Sequence, residues 1–306
     1  MTLKSNFLDL ALGTALAAVL VASPAFAQGG GTLQKIKETG GITIGHRDSS
    51  VPFSYFDDKQ QPVGFAMDLC AKIVEGVKAE LKLPNLKVSY NPVTSATRIP
   101  LIANGTVDLE CGSTTNNAER QKQVAYTITH FLTANRYVTK KTSNITKLED
   151  LKGKSVVSTS GTTNIKQLTE LNASKNLGMN IIPAKDHAEA FLMVETDRAA
   201  AFVMDDVLLA SLAASSKNPG LYVISKEALS APEPYGIMLR KDDPEFKRVV
   251  DATMIKVYTS GELQGIYDKW FTKPIPPKNI NLNLPMDEAM KKLMAKPTDS
   301  PDPAVY

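Results

Sequence analysis

The sequence predicts an α/β architecture of two units facing each other across a cleft, and three observations carry that prediction. Short apolar strands alternate with amphipathic helices through most of the chain, the pattern of a mostly parallel sheet covered by helices. At 306 residues the chain exceeds one core of ordinary size, and its 43% hydrophobic content is that of a folded globular protein. No low-complexity linker separates the two runs of alternating elements, so strands that cross between the units are expected to join them.

The first 27 residues read as an export address. Lys4 precedes the 13-residue apolar run LALGTALAAVLVA (10–22), which leads into Pro24 and AFA before Gln28. That is the pattern of a secretory signal cleaved after Ala27. A membrane span needs roughly 20 apolar residues, so the run is short for an anchor. With no cysteine at the cleavage site, a lipid anchor is not expected either. The mature protein is expected to be exported and soluble, starting near Gln28.

GITIGH (41–46) reads as a strand. In GFAMDLCAKIVEGVKAEL (64–81), Phe65, Leu69, Ile73 and Val77 recur at spacing four, one apolar face of a helix. KVSYNPV (87–93) is the second strand. TSATRIPLIANG (94–105) is a short helix, with Thr94 or Ser95 as its cap and Gly105 as its stop. TVDLEC (106–111) completes a βαβαβ run.

A second run begins with NRYVTKK (135–141) and continues through the strands KSVVSTS (154–160), MNIIPA (179–184) and AAAFVMD (199–205). Helices lie between and after them: GTTNIKQLTELNASK (161–175), DHAEAFLMVETDR (186–198) capped by Asp186, and DVLLASLAAS (206–215). YGIMLRKDD (235–243) reads as one more strand, followed by a helix with Pro244 in its first turn and by GELQGIYDKWF (261–271). The proline-rich segments 274–285 and 296–306 read as a surface strap and a loose tail.

Composition excludes several functions. Net charge is 35 − 32 = +3, spread evenly, and no basic run is interleaved with aromatics, so nucleic acid is not an expected partner. The sequence has no CxxC or HExxH, and His46, His130 and His187 lie far apart, so neither a metal nor another cofactor is expected. No phosphate loop, nucleophile elbow or dinucleotide fingerprint is present. Cys70 and Cys111 either form a disulfide, which an exported chain permits, or serve as two small buried apolar residues.

Polar residues gather where the strands end, and open α/β sheets bind ligands at the carboxyl ends of their strands. The clusters are GHRDSS (45–50), CGSTTNNAER (111–120), STSGTT (158–163) and VMDD (203–206), with TSATR (94–98) and KDHAE (185–189) at helix starts. Arg47, Arg98 and Arg120 are cationic, His187 can become so, and Asp205 is anionic. An arginine fork matches a carboxylate, hydroxyls and free N–H groups complete an anion's shell, and a lone carboxylate suits an ammonium. A ligand with two carboxylates and one ammonium uses the whole set, and that is an acidic amino acid. The duller alternatives are surface ion pairs for the arginines and helix capping for Asp205 and Asp206. His130, Trp270 and the Met286, Met290, Met294 spacing are assigned to packing.

The segments GHRDSSVPFSYFDD, TSATRIPLIANGTVDLECGSTTNNAERQ, SGTT, AKDHAE, MDD, YGIMLRKDD and PIPPKNINLN, in this order, resemble the periplasmic glutamate/aspartate-binding proteins of ABC importers. The resemblance covers nearly the whole mature chain. It implies a type II periplasmic binding protein fold, with lobe 1 formed by residues 28–133 and 235–306 and lobe 2 by residues 134–234. By the same resemblance, Arg120 holds the α-carboxylate with Ser113, Thr115 and Thr163, while Asp205 takes the α-ammonium. Arg47, Ser95, Arg98 and His187 grip the side-chain carboxylate. YGIM and FAMDLCAK add no obvious charge near the site.

The implied function is capture of L-glutamate or L-aspartate by a monomer in the periplasm and delivery to the membrane permease of an ABC importer. Two alternatives are weaker. Some relatives of this fold are dehydratases, but Asp205, the candidate proton donor, is already claimed by the ammonium. A receptor's ligand-sensing half would be expected to continue into a membrane span, and none follows before Tyr306.

Overall fold

The structure, a computed structural model, describes residues 30–306; the export segment and the cleavage site after Ala27 lie outside these residues. Two five-stranded sheets organise the chain. In the first, the spatial order is Lys87–Pro92, Gly41–His46, Leu109–Glu110, Met238–Arg240, Val124–Tyr126. In the second it is Asn180–Ala184, Ser155–Thr159, Ala201–Asp205, Asn135–Lys140, Tyr222–Ile224. Each sheet has three parallel strands, and its fourth strand runs antiparallel to its neighbours. The repeated topology gives each lobe one edge where parallel strands end and helices begin, the usual place for a ligand.

The lobes are joined by two segments that pair with each other. Phe131–Thr133 lies antiparallel to Glu233–Tyr235, in register Thr133 to Glu233 and Phe131 to Tyr235. This pairing alters one expectation from the sequence. YGIMLRKDD does not form a single strand; Tyr235 ends the crossing strand and Met238–Arg240 joins the first sheet. The chain changes partners at Gly236, where an added Cβ would stand 2.9 Å from the Tyr126 ring.

Helix placement follows from burial. The helix Phe65–Leu81 buries Phe65, Leu69, Ile73 and Val77, the face read from spacing, and packs on Pro244–Thr259. Cys70 on this helix is bonded to Cys111 at the end of the first sheet's third parallel strand. Of the two readings of these cysteines, the disulfide is the one realised.

The helix after Thr94 is regular from Arg98, and its opening turn is capped at Thr94 as expected: the Thr94 hydroxyl accepts from the Thr97 N–H at 3.2 Å and the Thr97 hydroxyl from the Thr94 N–H at 3.0 Å. Ser95, in the same turn, accepts from Arg47. Residues 288–295 form a helix, Glu288–Ala295, capped by Asp287 and seated by Met290 and Leu293. The final segment is not loose: Thr298 O accepts from Thr129 N at 2.8 Å, Asp299 O from the Asn116 amide at 2.9 Å, and Tyr306 OH lies 2.7 Å from Thr129 Oγ1. His130 is indeed packing, enclosed by Phe53, Phe65 and Tyr235, and burial pushes its imidazole down to about 3.

Candidate functional site: a polar cleft between the lobes

Ser95, Arg98, Ser113, Thr115, Thr163, His187 and Asp205 line one small cleft between the two sheets, together with Thr162, Asn164, Met204 and Leu208. Arg47 and Arg120 stand beside it. All nine residues singled out in the sequence are therefore brought together, six from the first lobe and three from the second. Each is buried except Thr163, which is half-buried.

The cationic end is held by the strand that ends at His46 and by the short helix at Arg98. Arg47 Nη2 donates to Ser95 Oγ at 2.9 Å, and Arg47 Nη1 is buried with no partner. Arg98 Nη1 donates to Ser113 O at 3.1 Å and to Thr114 Oγ1 at 2.5 Å, while its Nε has no partner. Burial lowers the Arg98 guanidinium to about 9, opposed by the Glu110 carboxylate 3.9 Å away. His187 starts the helix capped by Asp186; its Nδ1 meets Thr159 Oγ1 at 2.8 Å and its Nε2 is unpartnered. Burial, then Arg47 and Arg98, hold this imidazole well below its ordinary range. Four unmatched polar groups able to donate (Arg47 Nη1, Arg98 Nε, Ser113 Oγ and His187 Nε2) thus lie in one neighbourhood, with a fifth unmatched atom, the acceptor Glu110 Oε1, 3.9 Å from Arg98. Buried donors are costly to leave unmatched, so such a cluster suits an anionic ligand group.

Arg120 and Asp205 complete the cleft. Arg120 Nη1 donates to Thr115 O at 2.8 Å within its own loop, and Nη2 donates to Gly161 O at 3.2 Å on the other lobe. Beside Gly161 the helix Thr163–Ser174 begins, and its first N–H groups have no carbonyl within the helix to bond. Asp205 occupies an N-cap position but makes no side-chain cap, so the capping alternative does not account for it. Its Oδ1 accepts from the Asn164 amide at 2.8 Å, and its Oδ2 accepts from Tyr235 OH. Burial, with the Glu233 carboxylate nearby, raises Asp205 to about 7.

Two carboxylates escaped the sequence reading. Glu110 is buried beside Arg98 and accepts from Thr114 Oγ1 at 2.6 Å. Glu233, on the second crossing strand, accepts from Thr115 Oγ1 at 2.9 Å and Thr163 Oγ1 at 3.1 Å. A charged residue inside the apolar strand TVDLEC was the available signal for Glu110. Nothing in the local sequence marked Glu233, because its role depends on which strand it pairs with.

Over residues 42–273 the chain matches the bacterial extracellular solute-binding proteins, family 3. It belongs to this family. Relatives within it include the L-glutamate/L-aspartate-binding protein of Pseudomonas aeruginosa, 56% identical over 94% of this chain and 96% of the relative. The glutamate/aspartate import solute-binding protein of Escherichia coli is 50% identical over 95% of each chain. Among solved structures, an ancestral arginine-binding protein bound to arginine superposes with a TM-score of 0.68 at 28% identity, covering 76% of this chain and 98% of that one. An ancestral amino acid-binding protein, a precursor of cyclohexadienyl dehydratase, gives 0.66 at 28% identity over 79% and 100%. The chain is a two-lobed periplasmic solute-binding protein, and its family and high-identity relatives are binding proteins and not enzymes.

Proposed function

We propose that this solute-binding protein captures L-glutamate or L-aspartate between its lobes and delivers it to the permease of an ABC importer. The observation that carries this reading is the convergence of three buried arginines, Arg47, Arg98 and Arg120, with the carboxylate of Asp205 at one cleft between the lobes. The names of the Pseudomonas and Escherichia relatives support the same ligand class.

In this reading Arg120 and the first N–H groups of the helix Thr163–Ser174 hold the α-carboxylate, where the helix dipole also favours negative charge. Ser113, Thr115 and Thr163 surround that end, and Asp205 faces the α-ammonium. Arg47, Ser95, Arg98 and His187 receive the side-chain carboxylate, whose acceptor lone pairs match the unpartnered N–H groups there. The lobes comprise residues 28–133 with 235–306, and 134–234. The chain acts as a monomer after cleavage behind Ala27.

The test is calorimetric titration of the mature protein, unfolded and refolded to remove carried-over ligand, with L-glutamate, L-aspartate, L-glutamine and L-asparagine. One-to-one binding of the acids, with the amides weaker by roughly a hundredfold, is expected. Equal binding of acids and amides overturns the charge-matched end.

A further inference from the structure

Glu233 lies on the strand that crosses between the lobes, and its carboxylate reaches both of them. One oxygen accepts from the hydroxyls of Thr115 on the first lobe and Thr163 on the second, at 2.9 and 3.1 Å; the other accepts from the Gln167 amide one turn along the same helix. Gln167 Oε1 in turn accepts from Asn135 Nδ2 at 2.7 Å, and Asn135 Oδ1 from Asn164 Nδ2 at 3.0 Å. Asn164 then donates to Asp205, whose second oxygen receives Tyr235 OH. Because Tyr235 is two residues from Glu233 on the same strand, this chain of bonds closes into a ring.

A threonine hydroxyl has a single proton. A carboxylate acceptor outcompetes a neutral one, and the two threonine oxygens are 3.4 Å from each other, farther than either is from Glu233. Both protons are therefore committed to Glu233, and both oxygens present only lone pairs to the cleft. With Asp205 lining the same cleft, that makes three acceptors facing one region. An ammonium group has three N–H bonds to give.

We infer that Glu233 is a positioning residue that sets the polarity of Thr115 and Thr163, turning their hydroxyls into acceptors for the α-ammonium of the ligand. The inference rests on the reading above that the cleft takes an amino acid, and it assigns these two hydroxyls to the ammonium in place of the α-carboxylate. Glu233 itself does not touch the ligand; it acts through the threonines. The same carboxylate bridges Thr115 and Thr163 across the lobes, so the acceptor set is assembled only when the lobes meet.

The experiment compares each amino acid with its deaminated counterpart: L-glutamate with glutarate, L-aspartate with succinate, L-glutamine with glutaramate, and L-arginine with 5-guanidinovalerate. Affinities are measured by calorimetry, weak ligands by displacement, on wild type, Glu233→Met and Thr163→Val. The pair whose amino acid binds wild type most tightly is the one read. Glu233→Met carries no acceptor, and its expected effect is a fall of at least tenfold in the preference for the amino acid over its deaminated partner. A structural role would instead weaken both members alike and leave the ratio unchanged, which overturns the inference. Thr163→Val, which keeps the shape of the side chain, should shift the same ratio in the same direction and serves if Glu233→Met does not fold; an unchanged ratio there also overturns it. If wild type prefers a neutral or basic amino acid, the acidic-ligand reading fails while Glu233 is still judged on that pair. A wild type that binds no amino acid overturns both.

Discussion

Arg120 and Gly161 are bonded across the cleft: the guanidinium Nη2 of one lobe donates to the carbonyl of the other at 3.2 Å. Gly161 has φ +76°, and a Cβ added there would stand 2.6 Å from the Ala96 Cα of the opposite lobe. Gly161→Ala should therefore lower ligand affinity at least tenfold, because the collision occurs only where the lobes meet. The positive φ adds about 1 kcal/mol of general destabilisation. Titration alongside small-angle scattering checks this; unchanged affinity with normal compaction on ligand addition refutes it.

The two arginine ends should separate genetically. Arg120→Ala should abolish binding of every amino acid tested, since the α-carboxylate is common to all. Arg98→Ala should weaken glutamate and aspartate far more than their amides, by about 2–5 kcal/mol for the acids. Equal losses across acids and amides for both variants would remove the division of roles.

Reducing the Cys70–Cys111 bond, or replacing both cysteines with serine, should destabilise the protein by about 3–4 kcal/mol, the chain-entropy value for a loop of this length. Neither cysteine lines the cleft, so the folded double variant should keep wild-type ligand preference. Denaturant melts with and without reductant measure the first part, and titration measures the second.

Asp205 gives a pH signature. Its carboxyl is raised to about 7 by burial and by Glu233, so the folded protein holds a proton there that an unfolded chain has already lost. Stability contributed through this group accordingly falls as pH rises from about 4 to 7, because the native state binds more protons than the unfolded one. An ammonium placed against Asp205 favours the ionised form. Ligand binding below neutrality should release protons at this group, and affinity should rise from pH 5 to pH 7 and then level off. Calorimetry in buffers of different ionisation enthalpy reads the proton count directly; for Asp205→Asn the release should disappear.

How much of this site was legible depended on local pattern. Arg47, Arg120 and Thr163 follow recognisable strands and Asp205 ends one, so their place at the carboxyl edge of a sheet is legible from pattern alone. His187 was readable too, since Asp186 announces the helix it starts. Glu233 was not, because its strand is three residues long and pairs with Phe131–Thr133, a partner roughly a hundred residues away in sequence. The bonded tail was missed for a related reason: proline-rich segments read as loose unless the surface that receives them, here Thr129, Asn116 and Lys247, is known.

The position of Met238–Arg240 between Leu109–Glu110 and Val124–Tyr126 has a consequence for synthesis. An inner strand of the first sheet leaves the ribosome only after the whole second lobe has been made. Until then the sheet is split, and its early strands cannot lock around a finished core. A chain bound for export must stay threadable through a narrow pore, and this ordering delays the closing of the first lobe until most of the polypeptide has been made.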